Sequence, residues 1–188
     1  VAQLGGAPAK PRDITRYCHS VLFAPEDLTI VRGDPSDRRR FIDQLLVQIS
    51  PRLAAVQSDY ERVVKQRNTL LKTARGMTNL STLEVWNDKL VTLGSELIRE
   101  RERLVAALRE PVADSYRAIV DADHQPELAW ELSWGGEVST DVEGAFTRGL
   151  AEVAAAERER GITLIGPHRD ELVLTLNGLP VKGYASHG

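Results

Sequence analysis

The sequence predicts an α+β fold, mainly a helical lobe with an antiparallel helical hairpin arm, plus a small β-hairpin. Three observations carry this. Apolar residues recur at alternating spacings of three and four from Leu53 to Leu70 and again from Leu83 to Leu104. Between them the break at Arg75-Gly76-Met77-Thr78-Asn79 is short, so the simplest arrangement returns the second helix along the first. Leu172, Leu174 and Leu176 then alternate and end in Asn177-Gly178, a strong hairpin signal.

The 188 residues, 42% of them hydrophobic, can bury the core of one compact domain or of a domain with a projecting arm. A charged fraction of 27% is ordinary. No window approaches the ~20 apolar residues of a membrane span. VAQLGGAPAKPR lacks the basic start and apolar run of a secretory signal. The single cysteine, Cys18, permits no internal disulfide and suits a reducing compartment, so a cytoplasmic protein is expected. Val1 and Gly188 read as boundaries inside a longer protein. The formal net charge of −3 is unevenly spread. Residues 32–75 hold ten Lys/Arg against five Asp/Glu, whereas residues 76–188 hold eleven against nineteen. This permits an anion-binding face on the first part, although a solvated helix surface would show the same excess.

In chain order, Ser20–Phe23 reads as a buried strand meeting a loop at Ala24-Pro25. Gly33-Asp34-Pro35 is a turn, and Ser36 or Asp37 can cap a helix with Phe41, Ile42, Leu45, Leu46 and Ile49 on one stripe. Pro51 marks a break or a fresh helix. The seam of the next helix is Leu53, Val56, Tyr60, Val63 and Leu70, with Arg67 in the remaining seam place. Ser81 and Glu84 have capping-box spacing. They start a helix with Leu83, Trp86, Leu90, Leu93, Leu97 and Leu104 on its seam and Glu100 as the polar member. It runs to about Glu110 and continues helically over Val112–Val120. Such a pair would reach ~30–40 Å as an arm, but heptads this short equally suit a bundle core. Leu128–Trp134 alternates as a strand, Gly135-Gly136 turns, and Asp141–Arg160 is a helix ending at Gly161. Ile162–Ile165 is expected as a strand and Gly166–Asp170 as a tight connection. The division is 1–35, 36–120 for the helical arm lobe, and 121–188 for the strand–helix–β-hairpin region.

Three segments could carry chemistry. Glu26 and Asp27 follow the first strand, where loops often hold metal- or phosphate-facing groups, although such pairs are commonly solvated or capping. His168-Arg169-Asp170 has the order of a kinase catalytic loop, but Thr175 stands where the metal-binding Asn would be. Zinc on His168, Asp170 and Glu171 is disfavoured because strand neighbours point to opposite faces. The alternative is a structural turn in which Arg169 and Asp170 hydrogen-bond to backbone. Finally, Ser186 and Gly188 offer a hydroxyl and glycine amides of the kind that make a phosphate corner. The sequence has no G-x-x-x-x-G-K-[ST] loop, no apolar run ending in Asp-Asp, no G-x-S-x-G and no Cys-x-x-Cys. No self-sufficient catalytic or metal site is expected.

As an ordered set these segments are specific. Val21-Leu22-Phe23-Ala24-Pro25-Glu26-Asp27-Leu28, Gly33-Asp34-Pro35, Arg38-Arg39-Arg40-Phe41-Ile42-Asp43, Lys65-Gln66-Arg67-Asn68-Thr69-Leu70-Leu71-Lys72, Gly166-Pro167-His168-Arg169-Asp170 and Tyr184-Ala185-Ser186-His187-Gly188 resemble the RecF family in order and spacing. The resemblance covers the chain from about Ser20. It implies an internal stretch of an SMC-like, ABC-type P-loop ATPase head, with residues 1–35 at the edge of the ATPase-core lobe. It also implies DNA repair and recombination, with DNA bound at single-strand gaps and double-strand/single-strand junctions. ATP and Mg2+ would drive homodimerisation, and RecO and RecR would act with the protein in loading RecA. Carried over, Ser186 and Gly188 would meet the γ-phosphate held by a partner protomer, and Glu26 or Asp27 would lie near the nucleotide-sensing loop. Expected DNA-phosphate contacts are Lys65, Arg67, Lys72 and Arg75, whereas Arg38, Arg39 and Arg40 are expected to pair with Asp37, Asp43 or a neighbouring loop. The phosphate loop would precede Val1 and the acidic strand would follow Gly188. These 188 residues are therefore expected neither to hydrolyse ATP nor to dimerise on it. The rival readings are a helical-hairpin interaction module with an acidic C-terminal part, and a metal hydrolase built on His168 and Asp170.

Overall fold

The structure, a computed structural model, describes residues 2–10, 24–73, 81–120, 122–136 and 138–181. The strand expected at Ser20–Phe23, the break at 75–79, Arg75, Ser186 and Gly188 lie outside the described residues.

A hairpin unforeseen in the sequence opens the chain: β1 (Ala2–Leu4) and β2 (Ala7–Ala9) pair antiparallel around Gly5-Gly6, both at positive φ. A 3-10 turn, Pro25–Leu28, leads into the one-turn helix α1 (Thr29–Arg32). Helix α2 (Pro35–Ile49) starts two to three residues earlier than the expected caps Ser36 or Asp37 imply. Asp34 is its N-cap, Pro35 fills the first helical position, and the Asp37 carboxylate accepts the Asp34 N–H at 3.2 Å. The sequence offers Asp37 as a cap, but its role is the reciprocal half of a capping box.

Helices α3 (Leu53–Thr73) and α4 (Ser81–Ile119) are the expected long pair. Their antiparallel sense is visible in the pairing: Arg67 bonds Asn87, Tyr60 lies against Gly94, and Arg52 pairs with Glu96. Helix α4 continues through the exposed Pro111. The seam of the pair, with Leu53, Tyr60, Val63, Leu90, Leu97 and Leu104, belongs to one core shared with Trp130, Phe146, Leu150, Ile165 and Leu172. The hairpin is thus held by the rest of the molecule along this seam.

Strand β3 (Pro126–Glu131) is central in chain order but forms one edge of the sheet β3-β4-β5, all antiparallel. Leu128 faces Leu174 and Trp130 faces Leu172 across the β3–β4 ladder. Between them in sequence lies helix α5 (Val142–Arg160), capped by the Asp141 carboxylate on the Gly144 N–H at 2.9 Å and ended by Gly161 at φ 70. Strands β4 (Glu171–Leu176) and β5 (Leu179–Pro180) meet at Asn177-Gly178, whose φ values of 52 and 74 suit a tight hairpin. The mainly helical α+β class therefore holds.

One element differs from expectation. Ile162–Ile165 is no strand, because side chains take the groups a ladder would use. The Thr163 N–H donates to Asn68 Oδ1 at 2.6 Å, and the Leu164 N–H to Glu157 Oε1 at 2.8 Å. Among the described residues, no helix is long and apolar enough to cross a membrane.

Candidate functional site

Three arginines and a serine hold the turn between α5 and β4. Arg38, 5% exposed, forks onto Glu171 with Nε–Oε1 at 2.8 Å and Nη2–Oε2 at 3.2 Å. Arg39 Nη1 donates to the Asp170 carbonyl at 2.7 Å. Arg101 Nη1 donates to the Pro167 carbonyl at 2.6 Å, while Nε and Nη2 fork onto the Asp43 carboxylate at 2.8 and 2.9 Å. Its guanidinium also lies 5.0 Å from the centre of the Trp130 ring. Ser133 donates its N–H to Asp170 Oδ1, and its hydroxyl accepts the Gly166 N–H, both at 2.8 Å.

His168 closes the set. The Tyr60 hydroxyl lies 2.8 Å from Nδ1 and the Thr163 carbonyl 3.2 Å from Nε2. The carbonyl can only accept, so Nε2 carries the proton and Nδ1 accepts from Tyr60. Burial pushes this imidazole down to about 4 and pushes the Tyr60 phenol upward. Burial likewise raises the Asp170 carboxyl, against the hydrogen bonds from Ser133. With both ring nitrogens engaged, His168 is not presented as a metal ligand. Among the described residues no group of three or more His, Cys, Asp or Glu could hold one.

The expectation of a structural turn is half right. Asp170 is bonded to backbone through Ser133, whereas the Arg169 side chain is exposed and has no hydrogen bond or ion pair among the described residues. Only its backbone N–H is tied, to the Gly166 carbonyl at 2.7 Å.

The expected DNA contacts divide sharply. Arg67 is 2% exposed, so its assignment to DNA is corrected. Nη2 meets Glu157 Oε2 at 2.5 Å, Nη1 meets Thr163 Oγ1 at 2.9 Å and Nε meets Asn87 Oδ1 at 2.8 Å. A guanidinium enclosed in the core and held on three side chains is out of reach of a phosphate. Its seam position carried that signal. Lys65 and Lys72 are exposed on the same helix. They line a shallow cleft with Asn68, Thr69, Tyr60 and His168, and it meets a larger cleft of about 760 Å³ at Tyr60, Glu61 and His168. The larger one is lined by Arg39, Arg40, Arg101, Asp43, Ser36 and several glutamines. Together the clefts carry five Lys/Arg against two carboxylates, on a chain whose net charge is −3.

Elsewhere, Arg40 pairs with Asp37 at 3.3 Å as expected, and Asp43 pairs with Arg101, a residue the sequence did not single out. Asp27 Oδ2 accepts the Ala24 N–H at 2.7 Å, a capping role, and Glu26 lies in the same 3-10 turn. Asp27 does not line the two clefts.

No family model matches the chain. Curated proteins do. The chain is 50% identical over 206 residues to the DNA replication and repair protein RecF of Leifsonia xyli subsp. xyli, covering 100% of the chain and 54% of that protein. The protein of the same description from Clavibacter michiganensis subsp. michiganensis is 50% identical over 211 residues (100% and 52%). That of Streptomyces avermitilis is 49% identical over 190 residues (95% and 50%). The chain thus spans about half the length of the curated relatives it matches. Among solved structures, the recombination mediator protein RecF-ATP in the RecFOR pathway superposes with a TM-score of 0.81 at 24% identity, over 88% of this chain and 45% of that one. The RecF-ATPrS structure gives 0.84 at 24%, over 99% and 51%.

Proposed function

The chain belongs to the RecF family, and from that premise we propose that it serves a cytoplasmic DNA-repair ATPase that binds DNA at single-strand gaps and double-strand/single-strand junctions. The observation that carries this is identity of about one half along the whole chain to proteins described as RecF. In this reading ATP with Mg2+ drives homodimerisation, and RecO and RecR act with the protein in loading RecA. The two solved structures likened to this chain are described as RecF with ATP or ATPrS in the RecFOR pathway.

Within the reading, Ser186 and Gly188 reach the γ-phosphate bound to a partner protomer, and Glu26 or Asp27 stands near the nucleotide. Support for the first comes from chain direction. Strand β5 runs antiparallel to β4 and the Val181 N–H bonds the Leu174 carbonyl, so the chain heads back toward the sheet end that holds the clamped turn. A phosphate-sensing segment works best beside a rigid support. The 188 residues contain no phosphate loop of their own, so hydrolysis belongs to the assembled ATPase.

Lys65 and Lys72 are the DNA-phosphate contacts in this proposal. Both are exposed and seven residues apart, about 10 Å along one helix. The test is binding to a duplex carrying a single-strand gap, measured over a salt series. Lys65→Glu with Lys72→Glu should weaken binding about tenfold or more and lower the slope of log K against log salt by about two. Unchanged affinity and slope would contradict the assignment.

A further inference from the structure

Arg39 is half-buried, and its one hydrogen bond goes to a backbone carbonyl, that of Asp170. Among the described residues no carboxylate lies within ion-pair distance of it, although Arg38, Arg40 and Arg101 each have one. Burial, and after it the charge of Arg101, disfavour its protonated form, and the carboxylates of Glu171 and Asp170 only partly offset them. Arg169, exposed on a turn otherwise held at Gly166, Pro167, His168, Asp170 and Glu171, also lacks a carboxylate partner. A partly desolvated guanidinium without an ion-pair partner is relieved by a bound anion.

The surroundings identify the anion. Arg39 lines the larger cleft, His168 bridges to the smaller one, and Lys65 and Lys72 line the latter. Neutral donors stand among these cations: Ser36, Gln44, Gln48 and Gln57 in the first, Asn68 and Thr69 in the second. Arginine and lysine interleaved with amides and hydroxyls are the contact set of phosphate and sugar. Glu61 is the one carboxylate of the two clefts without an ion-pair partner among the described residues, since Asp43 is taken by Arg101.

We infer that the groove running from Arg39 past His168 to Lys65 and Lys72, with the exposed Arg169 on the adjoining turn, is a track for the sugar–phosphate backbone of a nucleic-acid strand, with Arg39 as its anchoring contact. This rests on the DNA-binding reading above and extends it to residues on α2 and the clamped turn. Arg39 supplies the fork that holds one phosphate, Arg169 adds its charge to the same strand from the adjoining turn, and the two lysines take later phosphates as point charges.

The test uses the 188-residue chain with a fluorescent single-stranded twenty-nucleotide probe and, as competitor, a polyglutamate peptide of equal length. Arg39→Gln and Arg169→Gln should each weaken probe binding about three- to tenfold at low salt and lower the salt slope by about one. Arg169 is exposed, so its replacement keeps the fold, and a circular-dichroism melt reports whether Arg39→Gln does. If both glutamine variants bind as the parent does while Lys65→Glu/Lys72→Glu loses binding, the track ends on α3 and this inference falls alone. If the parent chain fails to bind the probe even at low salt, the inference falls together with the DNA-contact reading. Polyglutamate displacing the probe at equal charge would make the groove an acidic-protein site and overturn the nucleic-acid assignment.

Discussion

Replacing Arg67 with alanine would strand Glu157, which is fully buried and accepts from both the Arg67 guanidinium and the Leu164 N–H. Thr163 and Asn87 would lose partners as well. An uncompensated buried charge costs about 3–5 kcal/mol, so Arg67→Ala should lower the denaturant midpoint steeply or prevent folding. A stability within 1 kcal/mol of the parent would contradict the burial described here. His168 makes a second prediction. Its folded pKa of about 4 lies below the ~6.5 of an unfolded histidine, so on acidification the unfolded chain takes up the proton first. The contribution is complete above about pH 6.5 and is lost as the pH falls toward 4. By pH 5 that loss is about 2 kcal/mol, partly offset by Asp170, whose raised pKa acts with the opposite sign. Urea titrations at pH 7 and pH 5 should show a smaller difference for His168→Gln than for the parent; an equal difference would exclude the imidazole as the cause.

At the scale of elements, the turn before β4 depends on two glycines far apart in sequence. A Cβ on Gly94 of α4 would stand 2.6 Å from Phe146 Cε1 and 3.1 Å from Tyr60 Cε2. One on Gly166, at φ +122, would stand 2.5 Å from the Tyr60 hydroxyl and 2.8 Å from Phe146 Cζ. Gly166→Ala therefore combines backbone strain with overpacking, about 3 kcal/mol or more. Gly94→Ala meets only the overpacking, set against a helix-propensity gain of about 1 kcal/mol. Thermal melts should rank the parent above Gly94→Ala and both above Gly166→Ala, and a reversed order of the two variants would overturn this account. The helices and the Asn177-Gly178 hairpin were legible beforehand because their signals are local: seam spacing, caps and a two-residue turn. Ile162–Ile165 was misread for a complementary reason. Four apolar or β-branched residues in a row look like a strand, but their backbone groups are claimed by Asn68 and Glu157, which no local pattern reveals.

At the scale of the whole molecule, the site shows the same division. The excess of basic residues over 32–75 was visible in the sequence, together with a helix that could carry it. Which of those cations face outward was not. The local basic pattern groups Arg67 with the DNA-facing lysines although it occupies a seam position, and groups Arg39 with the paired Arg38 and Arg40. Folding reversed the first, whereas Arg39 does bond a neighbouring loop, at the Asp170 carbonyl, and also lines a cleft. Arg67 went inward because Glu157, Thr163 and Asn87 converge on it, and Arg39 was left facing a cleft because Glu171, Asp37 and Asp43 serve Arg38, Arg40 and Arg101. The sequence by itself determined the helical pair, the terminal hairpin and the family, all written in short-range spacing and in the order of short segments. Only the tertiary structure decided which charges are cancelled and which are free to bind. The buried ion pairs join residues distant along the chain, such as Arg38 with Glu171 and Arg67 with Glu157, and a partner's identity exists only once the chain has closed.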